Sequence, residues 1–422
     1  MRHFKATLLI GTASALLVLI LAATGWITTT PDLVMKKALG LAAKAPTADK
    51  LHWAQIFAFV VFAFGVAWTT VDITRPALKA VVAATAVFLL LTFSVVVSLY
   101  GVYFSPFPSV FAVIFSFCTG MAWGRTGDGS RKKAIERLFS QRVSRSDFTR
   151  LVNGDVPATF PGHLVEGTVI VCEVQNHNEL MGLMEPEDYA SMTNLYLQTA
   201  SDYLVETGGY LDECTGESLR VVFGAPVPDE KHAEKACRAA IDLLARLDIL
   251  NKECDATWQR RFDFRVGINS GEMIAAAYGG ARLANFSVAG APVEFARRLC
   301  AACGTYGCRT LIGPETFEIA GETFEARPIE VLKGSGQRRH IELYEILSPK
   351  NALSPERERS RDHFWRGVLY FRDKRWDKAV EEFQQARITG IPDAALDFYI
   401  RRVERARKGG DDPREQAMLF GK

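Results

Sequence analysis

The chain has 422 residues, enough for about three domains, and carries 50 Lys/Arg against 48 Asp/Glu for a net charge of +2. Residues 1–124 hold eight of those basic and three of those acidic residues, which leaves 42 and 45 to residues 125–422. The sparsely charged first part excludes an ordinary soluble domain, and the mildly acidic remainder lacks the basic stripe that nucleic-acid binding needs. The eight Cys show no disulfide-scaffold spacing.

In chain order, residues 6–27 form a 22-residue run without a charge, 53–71 one of 19, and 80–124 one of 45 broken by Ser105-Pro106-Phe107-Pro108. A bilayer core takes about 20 apolar residues per helix. Four transmembrane helices are therefore predicted, at about 6–27, 53–71, 80–103 and 108–124. Trp26, Trp53, Tyr100, Tyr103 and Trp123 stand near the span ends, where an interfacial aromatic belt belongs. Three basic groups lie on one side: Arg2 with Lys5, Arg75 with Lys79, and Arg125, Arg131, Lys132 and Lys133. The positive-inside rule makes that side, with both termini, cytoplasmic. Lys36, Lys37, Lys44 and Lys50 in the loop 31–52 oppose this assignment. The first run also has the basic start and small residues of a signal peptide; cleavage would leave three spans and the same cytoplasmic 125–422. No ionisable group lies within a span, which argues against an ion path and for an anchor or sensor in the cell or inner membrane.

Residues 125–160 read as linker. Within them 131–152 is expected to be one coupling helix, with Ile135, Leu138, Phe139, Val143, Phe148 and Leu151 at three- and four-residue steps. Beyond it, 167–174 reads as a buried strand, 187–206 as a helix, and 210–212 and 218–223 as a hairpin tipped by Cys214-Thr-Gly-Glu217. A helix at 229–251, strands at 262–268 and 284–288, a helix at 293–302 and strands at 310–312 and 341–346 complete an α+β pattern with antiparallel pairs.

Four stretches, in order, resemble the class III adenylate/guanylate cyclase catalytic domain. They are Thr168-Val-Ile-Val-Cys-Glu-Val174; Gly208-Gly-Tyr-Leu-Asp-Glu-Cys-Thr-Gly-Glu217 followed by Val222-Phe-Gly-Ala-Pro226; Arg265-Val-Gly-Ile-Asn-Ser-Gly-Glu272; and Phe286-Ser-Val-Ala-Gly290 through Ala296-Arg-Arg-Leu299. Leu332-Lys-Gly334 and Tyr344-Glu-Ile346 also fit. The resemblance implies a ferredoxin-like α+β domain over 161–349, working as a homodimer with active sites built from both chains. It implies attack of a nucleoside triphosphate's 3′-hydroxyl on its own α-phosphate, with two Mg²⁺ or Mn²⁺ ions and loss of pyrophosphate. The four-span layout resembles members with an extracellular sensor after the first span; here only the loop 31–52 stands there.

By the same resemblance, the two metal positions, normally Asp, match Glu173 and Glu217. Glutamate keeps the hard oxygen donor but moves it by about 1 Å, enough to cost on the order of 100-fold in rate. The purine-reading positions match Glu213 and Ser287, a pair with the polarity of guanine rather than adenine. The transition-state positions match Glu294 and Arg298. Arg298 keeps its type, whereas Glu294 puts a negative charge where an Asn serves the triphosphate. Ala291 stands for a nearby family Asp. Lys333 and Arg338 are the remaining candidates for phosphate charge, with Ser335 in place of a second basic residue. These substitutions predict metal binding with weak or absent turnover; the alternative is an active, divergent cyclase converting GTP or ATP to the cyclic monophosphate.

Two further features carry less. Cys300-x-x-Cys303-x4-Cys308 lacks a fourth ligand for a structural zinc site, and His177 beside the first metal strand reads as a satisfied or solvated side chain before a ligand. The tail 350–422 places Gly367, Tyr370, Ala379, Phe383 and Ala386 at the spacings of one tetratricopeptide helix pair, with a further helix over 394–407. A single repeat cannot bury its own face, so the tail is expected to pack on the catalytic domain or on a partner. The chain reads as a membrane-anchored protein of cyclic-nucleotide signal transduction, with a nucleoside triphosphate and the membrane as partners and no nucleic acid.

Overall fold

The computed structural model describes residues 2–40, 49–73, 75–100, 102–124, 127–280, 285–333 and 340–408. They divide into two compact units, residues 1–137 with 152–155, and residues 138–151 with 156–422. Lys44, Arg125, Ala284, Ser335 and Arg338, singled out above, lie outside the described residues.

The first unit is helical: α1 (Arg2–Ala23), α2 (Thr29–Ala38), α3 (Asp49–Asp72), α4 (Pro76–Ser98), α5 (Phe107–Trp123) and most of α6 (Gly127–Phe139). Three stretches, Phe4–Ala23, Trp53–Asp72 and Pro76–Ser98, are long and apolar enough to cross a membrane; α5 is apolar but has 17 residues. The first helix stops at Ala23, four residues before the expected end, because Gly25 turns the chain with φ +72°. The loop after it is partly helical. Asp32 on α2 accepts hydrogen bonds from Tyr103 Oη (2.8 Å) and Ser105 Oγ (2.7 Å), which ties α2 to the turn between α4 and α5. The same bonds explain why α4 ends at Ser98 rather than at Tyr103. The core of α3 packs on α1, α4 and α5, with Ser116 Oγ donating to the Ala63 carbonyl at 2.9 Å. Small and hydroxyl side chains at such contacts let apolar helices approach without a hydrophobic driving force between them. At the other end of α3, Lys132 Nζ donates to the Asp72 carbonyl (2.8 Å) and to its carboxylate (3.0 Å).

The expected single helix over 131–152 is two helices, α6 and α7 (Arg145–Asn153). Ser144 starts the second: its Oγ accepts from the Asp147 amide and donates to the Asp147 carboxylate. The intervening turn is also drawn into the sheet, since the Arg142 carbonyl accepts from the Leu211 amide at 2.8 Å.

The second unit continues with β1 (His163–Val174), α8 (His177–Leu183), α9 (Pro186–Glu206), β2 (Tyr210–Cys214), β3 (Ser218–Phe223), α10 (His232–Trp258), β4 (Phe264–Tyr278), β5 (Asn285–Ala289), α11 (Ala291–Tyr306), β6 (Thr310–Ile312), α12 (Pro314–Ala320), β7 (Phe324–Lys333), β8 (His340–Pro349), α13 (Pro355–Arg372), α14 (Trp376–Ala386) and α15 (Ala394–Arg407). One sheet runs β2-β3-β1-β4-β6-β8-β7, with β5 added to β4; among the described residues only the β4–β6 pair is parallel. This is the mixed α+β arrangement that the pattern predicts. The strand β7 is an addition to the predicted elements. Glu325, Arg327, Pro328 and Glu330 interrupt its apolar alternation, and it pairs with β8 through two register shifts.

Alternation along β1 sorts its side chains. Ile170, Cys172 and Val174 enter a core with Met192 and Tyr196 of α9 and Leu243 and Leu247 of α10. Glu173 has the opposite parity and so belongs to the face on which α11 lies.

The tail does not stand apart. Phe364, Phe383 and Tyr399 share a core with Leu299, Leu311, Ile329 and Leu343 of the sheet and α11. Arg327 of β7 is the polar centre of this contact: it pairs with Glu345 at 2.7 Å, forks onto Asp393 at 2.6 and 2.9 Å, and stacks 4.4 Å from the Phe364 ring. Tyr399 Oη donates to the Ile329 carbonyl. Burial alone would raise the Asp393 carboxyl, but the Arg327 fork and the amides of Leu396 and Ala395 hold it below its ordinary range. A depressed carboxyl contributes stability above its unfolded pKa and loses it as pH falls through the folded one. Asp393→Asn is accordingly expected to cost about 3 kcal/mol at pH 7. Urea unfolding of detergent-solubilised protein should show that gap closing on acidification below the ordinary carboxylate range.

Candidate active site

The strand β1 carries Glu173 at its end, opposite Ser218 of β3 and Arg265 of β4. The Val174 amide donates to the Glu217 carbonyl at 2.9 Å, which fastens the β2–β3 tip beside Glu173. Burial pushes the Glu173 carboxyl above its ordinary range; the charge of Arg297 opposes the shift, and that of Glu217 adds to it. His177, at the start of α8, brings Nε2 to 3.5 Å from the Glu217 carboxylate while Nδ1 lies 3.1 Å from the Val174 carbonyl.

Carboxylates are hard oxygen donors of the kind a divalent cation takes. Among the described residues no group of three or more His, Cys, Asp or Glu is placed to hold a metal alone. A cation on Glu173 and Glu217 would therefore complete its shell with backbone oxygen, water or substrate phosphate, as Mg²⁺ commonly does.

Glu213 sits on β2 next to a bulge at Asp212. The extra residue lets both carboxylates meet one guanidinium: Arg220 Nε lies 2.7 Å from the buried Asp212 carboxylate and Nη1 2.7 Å from Glu213. Ser287 lies on β5, paired across to Ala276 of β4. The strands β2 and β5 are joined through Tyr210, whose Oη donates to the Phe286 carbonyl. Phe139, at the end of α6, packs edge-on against both rings, at 5.9 Å from Tyr210 and 5.0 Å from Phe286. Arg142 Nη1 donates to the Asp212 carbonyl at 2.8 Å. The strands that carry Glu213 and Ser287 are thus clasped by residues 139–142.

The helix α11 carries the rest. It lies almost in backbone contact with β4: a Cβ on Gly267 would come within 2.1 Å of the Ala296 carbonyl oxygen and 2.3 Å of the Cys300 nitrogen. Cys300 and Cys303 face the same strand, their thiols donating to the Arg265 and Val266 carbonyls at 3.2 and 3.5 Å. These cysteines are small packing groups on a close helix–sheet contact. Glu294 and Arg298, one turn apart, approach to 3.6 Å. Both line a cleft of about 540 Å³ together with Asn269, Glu272, Pro292 and Glu315. Lys333 is the last residue of β7.

The structure gathers the sequence-predicted positions into two groups flanking α11. Glu173, Glu217 and Glu213 lie on the β1–β2–β3 side, and Glu294 and Arg298 line the cleft. Arg297 joins the groups, at 3.8 Å from Glu213 and 3.9 Å from Glu294. Sequence reasoning passed over Arg297 and Arg220. The signal for the first was its place three residues after Glu294 on a helix. The signal for the second was a single basic residue inside an apolar strand.

Residues 164–346 match the family model described as "Adenylate and Guanylate cyclase catalytic domain". Adenylate cyclase 1 of Rhizobium meliloti is 24% identical over 189 residues, 45% of this chain and 28% of that protein. An adenylate cyclase of Anabaena cylindrica is 26% identical over 186 residues, 42% of this chain and 36% of that protein. The chain thus spans well under half the length of these curated relatives. Among solved structures, the adenylyl cyclase CyaB from P. aeruginosa is 22% identical, covered over its whole length by 46% of this chain, with a TM-score of 0.42.

The close approach at Gly267 yields a test. Gly267→Ala must push α11 away from β4, and overpacking of this kind costs about 1–3 kcal/mol or more. The thermal midpoint followed by circular dichroism is expected to fall by several degrees; an unchanged midpoint would mean that α11 does not rest on β4 as described.

Proposed function

We propose, on the premise that residues 164–346 of this chain belong to the adenylate and guanylate cyclase family, that the protein is a membrane-anchored signalling member whose nucleotide site turns over weakly or not at all. One observation carries this reading: each carboxylate at a substrate-facing position is already matched to an arginine of the same chain. Glu213 is held by Arg220 at 2.7 Å, and Glu294 stands 3.6 Å from Arg298. A triphosphate would meet the charge of Glu294, and the arginine expected to steady its transition state is shared with that carboxylate.

Glu173 and Glu217 would hold Mg²⁺ or Mn²⁺, up to two ions. Bound there, such ions supply positive charge for the attacking and leaving oxygens. Glu213 and Ser287 would face the purine, with guanine polarity, Lys333 would contribute phosphate charge, and Arg298 would clamp a phosphate. The separation of these groups on two sides of α11 supports a homodimer in which one chain's carboxylates face its partner's Arg298. The apolar helices, read as four spans with both termini inside, would anchor the protein in the cell or inner membrane. Phe139 and Arg142, touching β2 and β5, support the segment 131–152 as the relay from membrane to site. The tail, read as a tetratricopeptide-like pair plus one helix, would brace the sheet.

The second reading, an active GTP- or ATP-converting cyclase, is favoured by the backbone bond from Val174 to Glu217, which fastens the β2–β3 tip beside the end of the strand carrying Glu173; a two-metal displacement needs two such carboxylates. Assay of purified protein with Mn²⁺ separates the two. Wild type is expected to give little cyclic GMP or cyclic AMP, and Glu294→Asn about tenfold more. Robust wild-type product that disappears in Glu217→Ala would establish the active reading. No product from wild type and Glu294→Asn alike would exclude an enzyme.

A further inference from the structure

A chain of buried hydrogen bonds runs from α10 to α12 through the sheet. His232, the first residue of α10, is 5% exposed, and its Nδ1 lies 2.7 Å from Thr168 Oγ1 on β1. Thr168 Oγ1 lies 2.7 Å from Ser270 Oγ on β4, and Ser270 Oγ lies 2.9 Å from Thr316 Oγ1 on α12. Thr168, Ser270 and Thr316 are fully buried, and among the described residues their hydroxyls have no further hydrogen-bond partner. Counting hydrogens fixes the direction of the chain. It has three gaps, and the three hydroxyls bring one hydrogen each. Every gap is filled once when Thr316 donates to Ser270, Ser270 to Thr168, and Thr168 to an unprotonated Nδ1. The proton of the neutral imidazole then sits on Nε2. A protonated imidazole brings a fourth hydrogen to the same three gaps. One buried hydroxyl is then left without an acceptor, which is unfavourable. If the chain reverses, that surplus hydrogen falls on Thr316, at the end carried by α12.

The helix α12 has seven residues and borders two cavities. Glu315 lines the cleft that holds Glu294 and Arg298. Ile319 lines a second cavity of about 690 Å³, which it shares with His163, Glu166, Glu230 and His232 and through which protons reach the imidazole. We infer that His232, Thr168, Ser270 and Thr316 form a pH-sensitive latch on α12, closed while His232 is neutral and released at Thr316 when His232 takes up a proton. Release loosens the wall of the cleft that carries Glu315, whatever the cleft binds. Glu166 of β1 and Asp229 of the turn before α10 favour protonation of His232, although Asp229 is already paired with Lys235. Glu230 and His163 face the same cavity, α12 presents Thr316 and Ile319, and β4 presents Ser270, with Glu272 directly across from Glu166. Burial outweighs these charges and holds the imidazole below its ordinary range. The folded chain therefore resists the proton that the unfolded chain accepts, and the latch weakens as pH falls below the ordinary imidazole value.

The measurement is amide hydrogen exchange of the full-length protein in detergent, read by mass spectrometry and corrected for the intrinsic effect of pH on exchange. It compares about pH 7.5 with about pH 5.5, on either side of the ordinary imidazole value. Protection of residues 314–320 is expected to fall about tenfold on acidification, while that of residues 376–386 on α14 stays constant. His232→Asn, whose Oδ1 offers Thr168 an acceptor that does not titrate, should keep its protection at both pH values. His163→Gln should respond as wild type does. Thr316→Val, which takes α12 off the chain, should exchange equally fast at both. A wild-type segment 314–320 indifferent to pH would overturn the latch, as would a pH response that survives in His232→Asn or is lost in His163→Gln. If His232→Asn fails to fold, Thr316→Val decides, since a response there as large as in wild type would also overturn it.

Discussion

The backbone of α11 rests on β4 at Gly267, and the candidate site is organised by that contact. No residue with a side chain could occupy the position without moving the helix, because the Ala296 carbonyl and the Cys300 amide fill the space a Cβ would take. The closeness brings Arg297 within reach of β2, Arg298 and Glu294 to the cleft, and the Cys300 thiol to the Arg265 carbonyl. On the same side of the sheet, Leu299 and Cys303 join the core that the tail helices complete with Phe364 and Tyr399. One glycine on a buried strand therefore controls both the site and the seat of the tail.

Charge is the second constraint. Like charges can share one end of a sheet only when cations stand between them, and here arginines alternate with carboxylates. The series runs from Arg142, bonded to the Asp212 carbonyl, through Asp212, Arg220, Glu213 and Arg297 to Glu294 and Arg298. It starts in the turn that leaves α6 and ends on α11. Beside it, Phe139 packs on Tyr210 and Phe286, immediately before Ser287 in β5. Movement of residues 139–142 would thus be felt by both strands that hold Glu213 and Ser287. A buried aromatic contact and a backbone hydrogen bond are stiff enough to transmit such a shift.

Much of the fold was legible in order and type. The strand ending in Glu173, the hairpin tipped by Glu217 and the strand at Thr310–Ile312 follow from short apolar runs bounded by turn residues. Misreadings arose where tertiary contacts overrode local pattern. The periodicity over 131–152 continues across Arg142 and Ser144, yet the chain breaks there because Leu211 takes the Arg142 carbonyl. The run 80–103 is apolar throughout, yet its last residues leave the helix to meet Asp32. The strand β7 stayed hidden because Arg327 belongs to a buried ion cluster that no local rule anticipates.

The sequence by itself determined that apolar helices precede a charge-rich α+β domain, and it placed Glu173, Glu217, Ser287, Glu294 and Arg298 in their elements. Periodicity and ordered motifs are local properties, so they survive without coordinates. Tertiary structure decided which charges meet. Arg297 and Glu213 lie 84 residues apart in the chain, and Arg142 and Asp212 lie 70 apart. No spacing rule connects them; only the close seat of α11 on β4, and of the α6–α7 turn on β2, makes them one electrostatic system.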